Sequence, residues 1–153
     1  MLMAAAISGE NTVMPEPRLT MGSRFEDLTL LWNWVEAQAA EYGIPSETEY
    51  AIQLCLEEAV SNIIRHGYRG RPHLAITVDC VAPAGEQEIL FTVEDQAPPF
   101  DPLAAAEMPI PTSIDEIPDG GRGIRLLRGF AGSLAYQRLP GGNRLTIGFA
   151  MPR

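Results

Sequence analysis

Three short segments each carry a run of apolar residues at alternate positions: Leu74, Ile76, Val78 and Cys80; Ile89, Phe91 and Val93; Leu145, Ile147 and Phe149. Side chains alternate across a strand, so each segment predicts a strand with one buried and one wet face. A parallel sheet covered on both sides would need nearly continuous apolar runs. The pattern therefore predicts a mixed, mostly antiparallel sheet with helices on one face, a two-layer α/β sandwich of the α+β class. A fourth strand over 134–139 joins the last through Pro140-Gly-Gly-Asn143, which reads as a hairpin turn.

The covering layer is legible from helical spacing. Leu28, Leu31, Trp32, Val35 and Ala39 predict a helix over 25–42, with Gly43 as its C-cap and Pro45 barring continuation. Ser46-Glu-Thr-Glu49 has the form of a capping box, with Ser46 as N-cap and Glu49 reaching back. The helix it opens is expected to reach Arg65 or His66 and stop at Gly67, with Ile52, Leu56, Ala59 and Ile63 on its apolar face. Residues 18–22 predict a short first strand, and 124–131 a last helix. Prolines 98, 99, 102, 109, 111 and 118 exclude regular structure between them, so 98–119 reads as a long loop, a lid.

At 153 residues the chain holds one domain, expected over 18–153, after a flexible N-terminus at 1–17. Its eleven cations are all Arg, against twenty carboxylates, for a net charge of -9. Such a surface repels phosphate backbones, so direct nucleic-acid binding is not expected. Cys55 and Cys80 lack metal-ligand spacing and read as buried thiols of a reducing compartment. The first fourteen residues have neither the basic start nor the long apolar run of a signal or anchor, and no membrane span follows. The expected location is the cytoplasm.

Glu58 and Asn62 lie four residues apart and so stack on one helix face. A carboxylate and a carboxamide one turn apart offer oxygen ligands to a hard cation such as magnesium; a solvated Glu beside a helical Asn has the same spacing. Asp95 continues the parity of Ile89, Phe91 and Val93, so its carboxylate is expected on the core side of the sheet. There it needs a donor. The amine of adenine would serve, and so would nearby backbone amides in a turn. Gly120, Gly121 and Gly123 precede a helix, where backbone N–H groups can hold phosphate oxygens, with Arg122 and Arg125 as charged donors nearby. A plain glycine-rich loop has the same composition. The segment is neither a Walker P-loop nor a Rossmann fingerprint.

Taken in order, Leu56-Glu-Glu-Ala-Val-Ser-Asn62 with His66-Gly-Tyr68, Val93-Glu-Asp95 with Pro98-Pro-Phe-Asp-Pro102, Gly120-Gly-Arg-Gly-Ile124 with Leu127, and Gly141-Gly-Asn-Arg-Leu145 resemble the GHKL ATPase superfamily. More narrowly, they resemble the bacterial anti-sigma-factor serine/threonine kinases. The resemblance spans 18–149 and implies the Bergerat, or histidine-kinase-like ATPase, fold. It implies ATP and Mg2+ as cofactors, with Asn62 binding the metal, Glu58 as general base or orienting group, and Asp95 holding adenine. Gly121 and Gly123 would admit the phosphates, assisted by Arg122 or Arg125; Glu57, the competing carboxylate, lies off the face of Asn62. It further implies a homodimer that phosphorylates a STAS-type anti-anti-sigma protein and sequesters an RNA polymerase sigma factor. The chain departs from the pattern after Asp95, where Ala97 stands in a glycine box. The rival reading is a non-catalytic regulator-binding module with weak or no nucleotide binding. A histidine-kinase fragment is a third reading, but it lacks a phosphoacceptor-histidine helix: His66 and His73 are the only histidines, and His66 reads as structural.

Overall fold

The computed structural model describes residues 18–103 and 119–151. The chain runs through β1 (Arg18–Met21), a 3₁₀ turn (Phe25–Asp27), α1 (Leu28–Tyr42), α2 (Ser46–Asn62) and a π-helical turn (Ile63–Gly67). Then come β2 (Ile76–Val81), β3 (Glu88–Asp95), α3 (Asp119–Phe130), β4 (Ser133–Leu139) and β5 (Gly142–Ala150). The strands form one sheet in the order β1-β2-β3-β5-β4, and every described pair is antiparallel. The expected α+β sandwich is thus present, with a sheet that is wholly antiparallel among the described residues. β5 inserts between β3 and β4, so the chain leaves β3, forms α3, and returns through a hairpin to pair beside β3.

The strand parity holds within the strands, whereas Leu74, expected on the same face, lies before β2 and is half-buried. Ile76, Val78, Cys80, Ile89, Phe91, Val93, Leu145, Ile147 and Phe149 are all buried on one face. Leu31 and Val35 of α1, Ile52, Cys55 and Leu56 of α2, and Leu127 of α3 close over them. Phe91 anchors the layer, meeting Trp34 and Phe149 edge-on with centroids 6.0 and 5.9 Å apart. The opposite face is wet and polar, knitted by Arg18–Asp79 at 2.6 Å, Arg144–Glu94 at 2.9 Å and the Thr92–Thr146 pair at 3.4 Å. Cys55 and Cys80 are free and buried, and burial pushes both thiols up to about 12, so they serve packing and not redox chemistry.

Helix ends depart from the sequence reading in three places. The predicted 25–42 helix begins as a 3₁₀ turn and becomes α-helical at Leu28. Gly43 does cap it, at φ 64°. The Ser46 capping box does not form: Pro45, extended at φ -62° and ψ 151°, holds the cap position, and its carbonyl accepts Glu49 N–H at 2.9 Å. Ser46 is therefore already inside the helix, and no side-chain cap bond is made. The last helix starts at Asp119, five residues before the expected 124, which winds the glycine cluster into its first turn. The expected flexible segment 1–17 lies outside the described residues, as does 104–118 of the predicted lid.

Candidate functional site

At one end of the sandwich a narrow cleft of about 30 Å³ opens between α2, the ends of β3 and β5, and α3. Asn62, Asp95, Asn143, Tyr136, Phe100 and Leu127 line it. Asn62 is 4% exposed, and its Oδ1 is buried without a hydrogen-bond partner among the described residues. An orphaned buried acceptor costs about 1–3 kcal/mol. The helix widens into a π turn directly after this residue, a distortion that is frequent at functional sites.

Glu58 sits one turn earlier, with its carboxylate 3.7 Å from the Arg65 guanidinium. It stands beside the cleft, between α2 and α3. A Cβ added to Gly123 would fall 2.3 Å from Glu58 Oε1, so α3 lies this close to the carboxylate because residue 123 has no side chain. Glu57 faces elsewhere and accepts Trp32 Nε1–H at 3.3 Å, as its register requires.

Asp95 is 9% exposed, on the core side as strand parity predicts. Its Oδ1 accepts Ala97 N–H at 2.8 Å and Asn143 Nδ2–H at 2.8 Å. The turn-forming and the buried-polar readings thus coexist in one side chain, and Oδ2 carries no bond among the described residues. Burial raises the Asp95 pKa, with Asn143, Ala97 and Arg138 pulling the other way.

The hub of this end is Asn143, to which the sequence reading gave no role. It lies opposite Asp95 in the β3–β5 register. Its Nδ2 also donates to Pro98 O at 3.0 Å, while its Oδ1 accepts from Phe100 N–H at 3.2 Å and from the Tyr136 hydroxyl. The signal was present as Gly-Asn after the hairpin, but only strand register shows what that Asn faces. Gly142 is equally constrained, since a Cβ there would strike Asp95 O at 2.1 Å. Tyr68, buried at 1%, donates its hydroxyl to Ala75 O at 2.6 Å and accepts Gln96 N–H at 2.8 Å, fixing the chain after Asp95.

Ala97 does not occupy a strained position: Arg69 and His73 are the non-glycine residues at positive φ among those described. Its methyl is buried against Gly67. His66 is exposed and stacks on Phe100 at the rim, with centroids 6.4 Å apart. Gly121, Arg122 and Arg125 fall in the first turns of α3, with Arg125 exposed; the side chain of Arg122 lies outside the described residues.

Comparison with known proteins accords with this geometry. The profile of the histidine kinase-like ATPase domain matches residues 22–149. The chain belongs to that family. Among relatives of this ATPase domain, the serine/threonine-protein kinase BtrW of Bordetella bronchiseptica is 30% identical over 114 residues, 74% of this chain and 79% of its own. The anti-sigma F factor of Oceanobacillus iheyensis is 32% identical over 89 residues, 58% of this chain and 60% of its own. Among solved structures, the RsbU and RsbW domains of a Mycobacterium tuberculosis protein superpose with a TM-score of 0.63 at 15% identity, over 92% of this chain and 33% of that one. The histidine kinase domain of a blue-light activated kinase from Erythrobacter litoralis gives 0.52 at 20% identity, over 81% and 60%. At such identities the structures speak for the fold alone.

Proposed function

We propose that this ATPase domain is an ATP-dependent anti-sigma-factor serine/threonine kinase. In this reading it phosphorylates a STAS-type anti-anti-sigma protein and sequesters a sigma factor, as a cytoplasmic homodimer. The carrying observation is the buried, unpartnered Oδ1 of Asn62 lining the same cleft as the Asp95 carboxylate. A hard cation satisfies the first; an exocyclic amine satisfies the second and discriminates adenine from guanine.

The donor set fits magnesium held with ATP. Among the described residues no group of three His, Cys, Asp or Glu converges on a metal. Magnesium needs no such cage, because it keeps waters and takes substrate phosphates as ligands. When bound, it would neutralise charge on the phosphates, with Asn62 as its protein ligand. Glu58 would accept the proton of the attacking hydroxyl as the new P–O bond forms and the bond to the leaving diphosphate breaks. Gly121 and Gly123 would admit the phosphates at α3, with Arg122 or Arg125 supplying positive charge.

ATP with magnesium should raise the melting temperature, and GTP should not. Glu58→Ala should abolish phosphate transfer from labelled ATP to a STAS protein while leaving that ATP-induced shift in place. No shift with ATP would move the assignment to a regulator-binding module. A wild-type transfer rate in Glu58→Ala would remove Glu58 from the chemistry.

A further inference from the structure

Residues 65–73, Arg-His-Gly-Tyr-Arg-Gly-Arg-Pro-His, carry three of the eleven arginines and both histidines, and no carboxylate, in a chain of net charge -9. Arg65, His66, Arg69, Arg71 and His73 are all exposed. Carboxylates outnumber cations nearly two to one here, with twenty against eleven. Even so, the Arg69 and Arg71 side chains have no carboxylate partner among the described residues. Arg71 Nε donates to Tyr68 O at 3.2 Å, a contact within the loop itself.

The loop is also held rigid. Tyr68 N–H bonds Ile63 O at 2.7 Å, Gly70 N–H bonds Ile64 O at 2.8 Å, and Arg71 N–H bonds Tyr68 O at 3.0 Å. Ser23 Oγ donates to Arg71 O at 2.6 Å and accepts Leu74 N–H at 3.1 Å. Arg69 and His73 are kept at φ 52° and 66°, a region uncommon for Arg and more readily entered by His. Backbone held against its preference is found where a site must be preorganised, and a rigid cationic display loses little entropy on binding.

We propose that the loop displaying Arg69, Arg71 and His73 is the docking surface for a carboxylate-rich segment of the protein substrate. This rests on the kinase reading for the word substrate, but the surface stands on its own charge and rigidity. The loop follows directly on the helix bearing Glu58 and Asn62. Through the Tyr68 hydroxyl it is tied to Gln96, the residue after Asp95. A partner held there would lie beside the Asp95 end of the cleft.

The test uses the full chain and a fluorescein-labelled twelve-residue Glu/Ser peptide, followed by anisotropy at low salt. Wild type should bind it, binding should collapse at high salt, and Arg69→Glu/Arg71→Glu should weaken it at least tenfold. Arg69→Asn, which tolerates the left-handed backbone, should weaken it less while keeping the wild-type melting temperature, separating charge from folding. Equal binding by wild type and both variants would overturn the proposal. So would tighter binding of a twelve-nucleotide single strand, which would make this a phosphate-backbone surface. The ATP melting shift is recorded on the same samples. A shift without peptide binding removes the docking surface and leaves the kinase reading; peptide binding without a shift does the reverse.

Discussion

Asn143 donates from Nδ2 to Asp95 Oδ1 at 2.8 Å across directly paired positions of β5 and β3. The cleft's carboxylate is therefore aimed by a residue from a strand that enters the chain nearly fifty positions later. Removing it should be felt twice. Asn143→Ala strands Phe100 N–H and Pro98 O and takes one of the two donors from Asp95. A loss of about 2–3 kcal/mol in stability is expected, read as a lower urea midpoint at unchanged slope. ATP affinity should fall by about tenfold, or 1.4 kcal/mol, as Asp95 loses its orientation.

Asp95 itself sets a pH dependence. Burial raises its carboxyl above the usual 3.8, so the folded state binds the proton more tightly than the unfolded chain. Its contribution to stability is fully present below the unfolded value and is lost as pH rises through the raised, folded one. Asp95→Asn should flatten that segment of the stability–pH curve, measured by urea unfolding at stepped pH, and leave the fold intact at neutral pH. ATP affinity should rise with pH through the same window in wild type, since an amine donor prefers the carboxylate, and should be low at every pH in Asp95→Asn. A pH-independent wild-type affinity would detach Asp95 from the adenine.

The contact between Gly123 and Glu58 separates catalysis from stability. A methyl at 123 would overlap Glu58 from its Cγ to its carboxylate. The protein can relieve this by turning Glu58 away, and Ala is the better helix former, so Gly123→Ala should shift stability by no more than about 1 kcal/mol. Phosphate transfer should fall by about a hundredfold, the usual penalty for a catalytic group misplaced by an ångström. Single-turnover transfer, measured beside thermal melts, distinguishes the two.

What the sequence made legible were features with a short period. Strand parity placed Ile89, Phe91, Val93 and Asp95 on the buried face, because alternation is fixed by the backbone alone. The spacing of Glu58 and Asn62, and the exclusion of Glu57 from their face, followed from helix geometry in the same way. Asn143 was not legible, since its importance depends on which residue of β3 it opposes, and register is a tertiary fact. The Ser46 box failed for a local reason: Pro45 already supplies the extended cap residue, so the helix starts one position later than the motif assumes. The glycines at 120, 121 and 123 read as a loop because glycine disfavours helix, whereas packing of α3 on α2 winds them in.

Ala97 and Gly67 form a matched pair that answers the departure from the glycine box. A Cβ on Gly67 would stand 3.0 Å from the Ala97 methyl, well inside ordinary carbon contact. The small residue this turn requires is thus supplied from the π-helical side, by Gly67. Gly67→Ala alone should cost about 1–3 kcal/mol by overpacking. Ala97→Gly alone should cost about 1 kcal/mol through lost packing and added unfolded-state freedom. The double exchange should recover most of the Gly67→Ala loss, a coupling energy of about 0.5–3 kcal/mol in a double-mutant cycle on urea unfolding. Additive losses would show that the two sites do not share the space. Because Ala97 is not at positive φ, Ala97→Gly should leave ATP affinity unchanged; tighter ATP binding in that variant would instead mark the missing glycine as a brake on the nucleotide site.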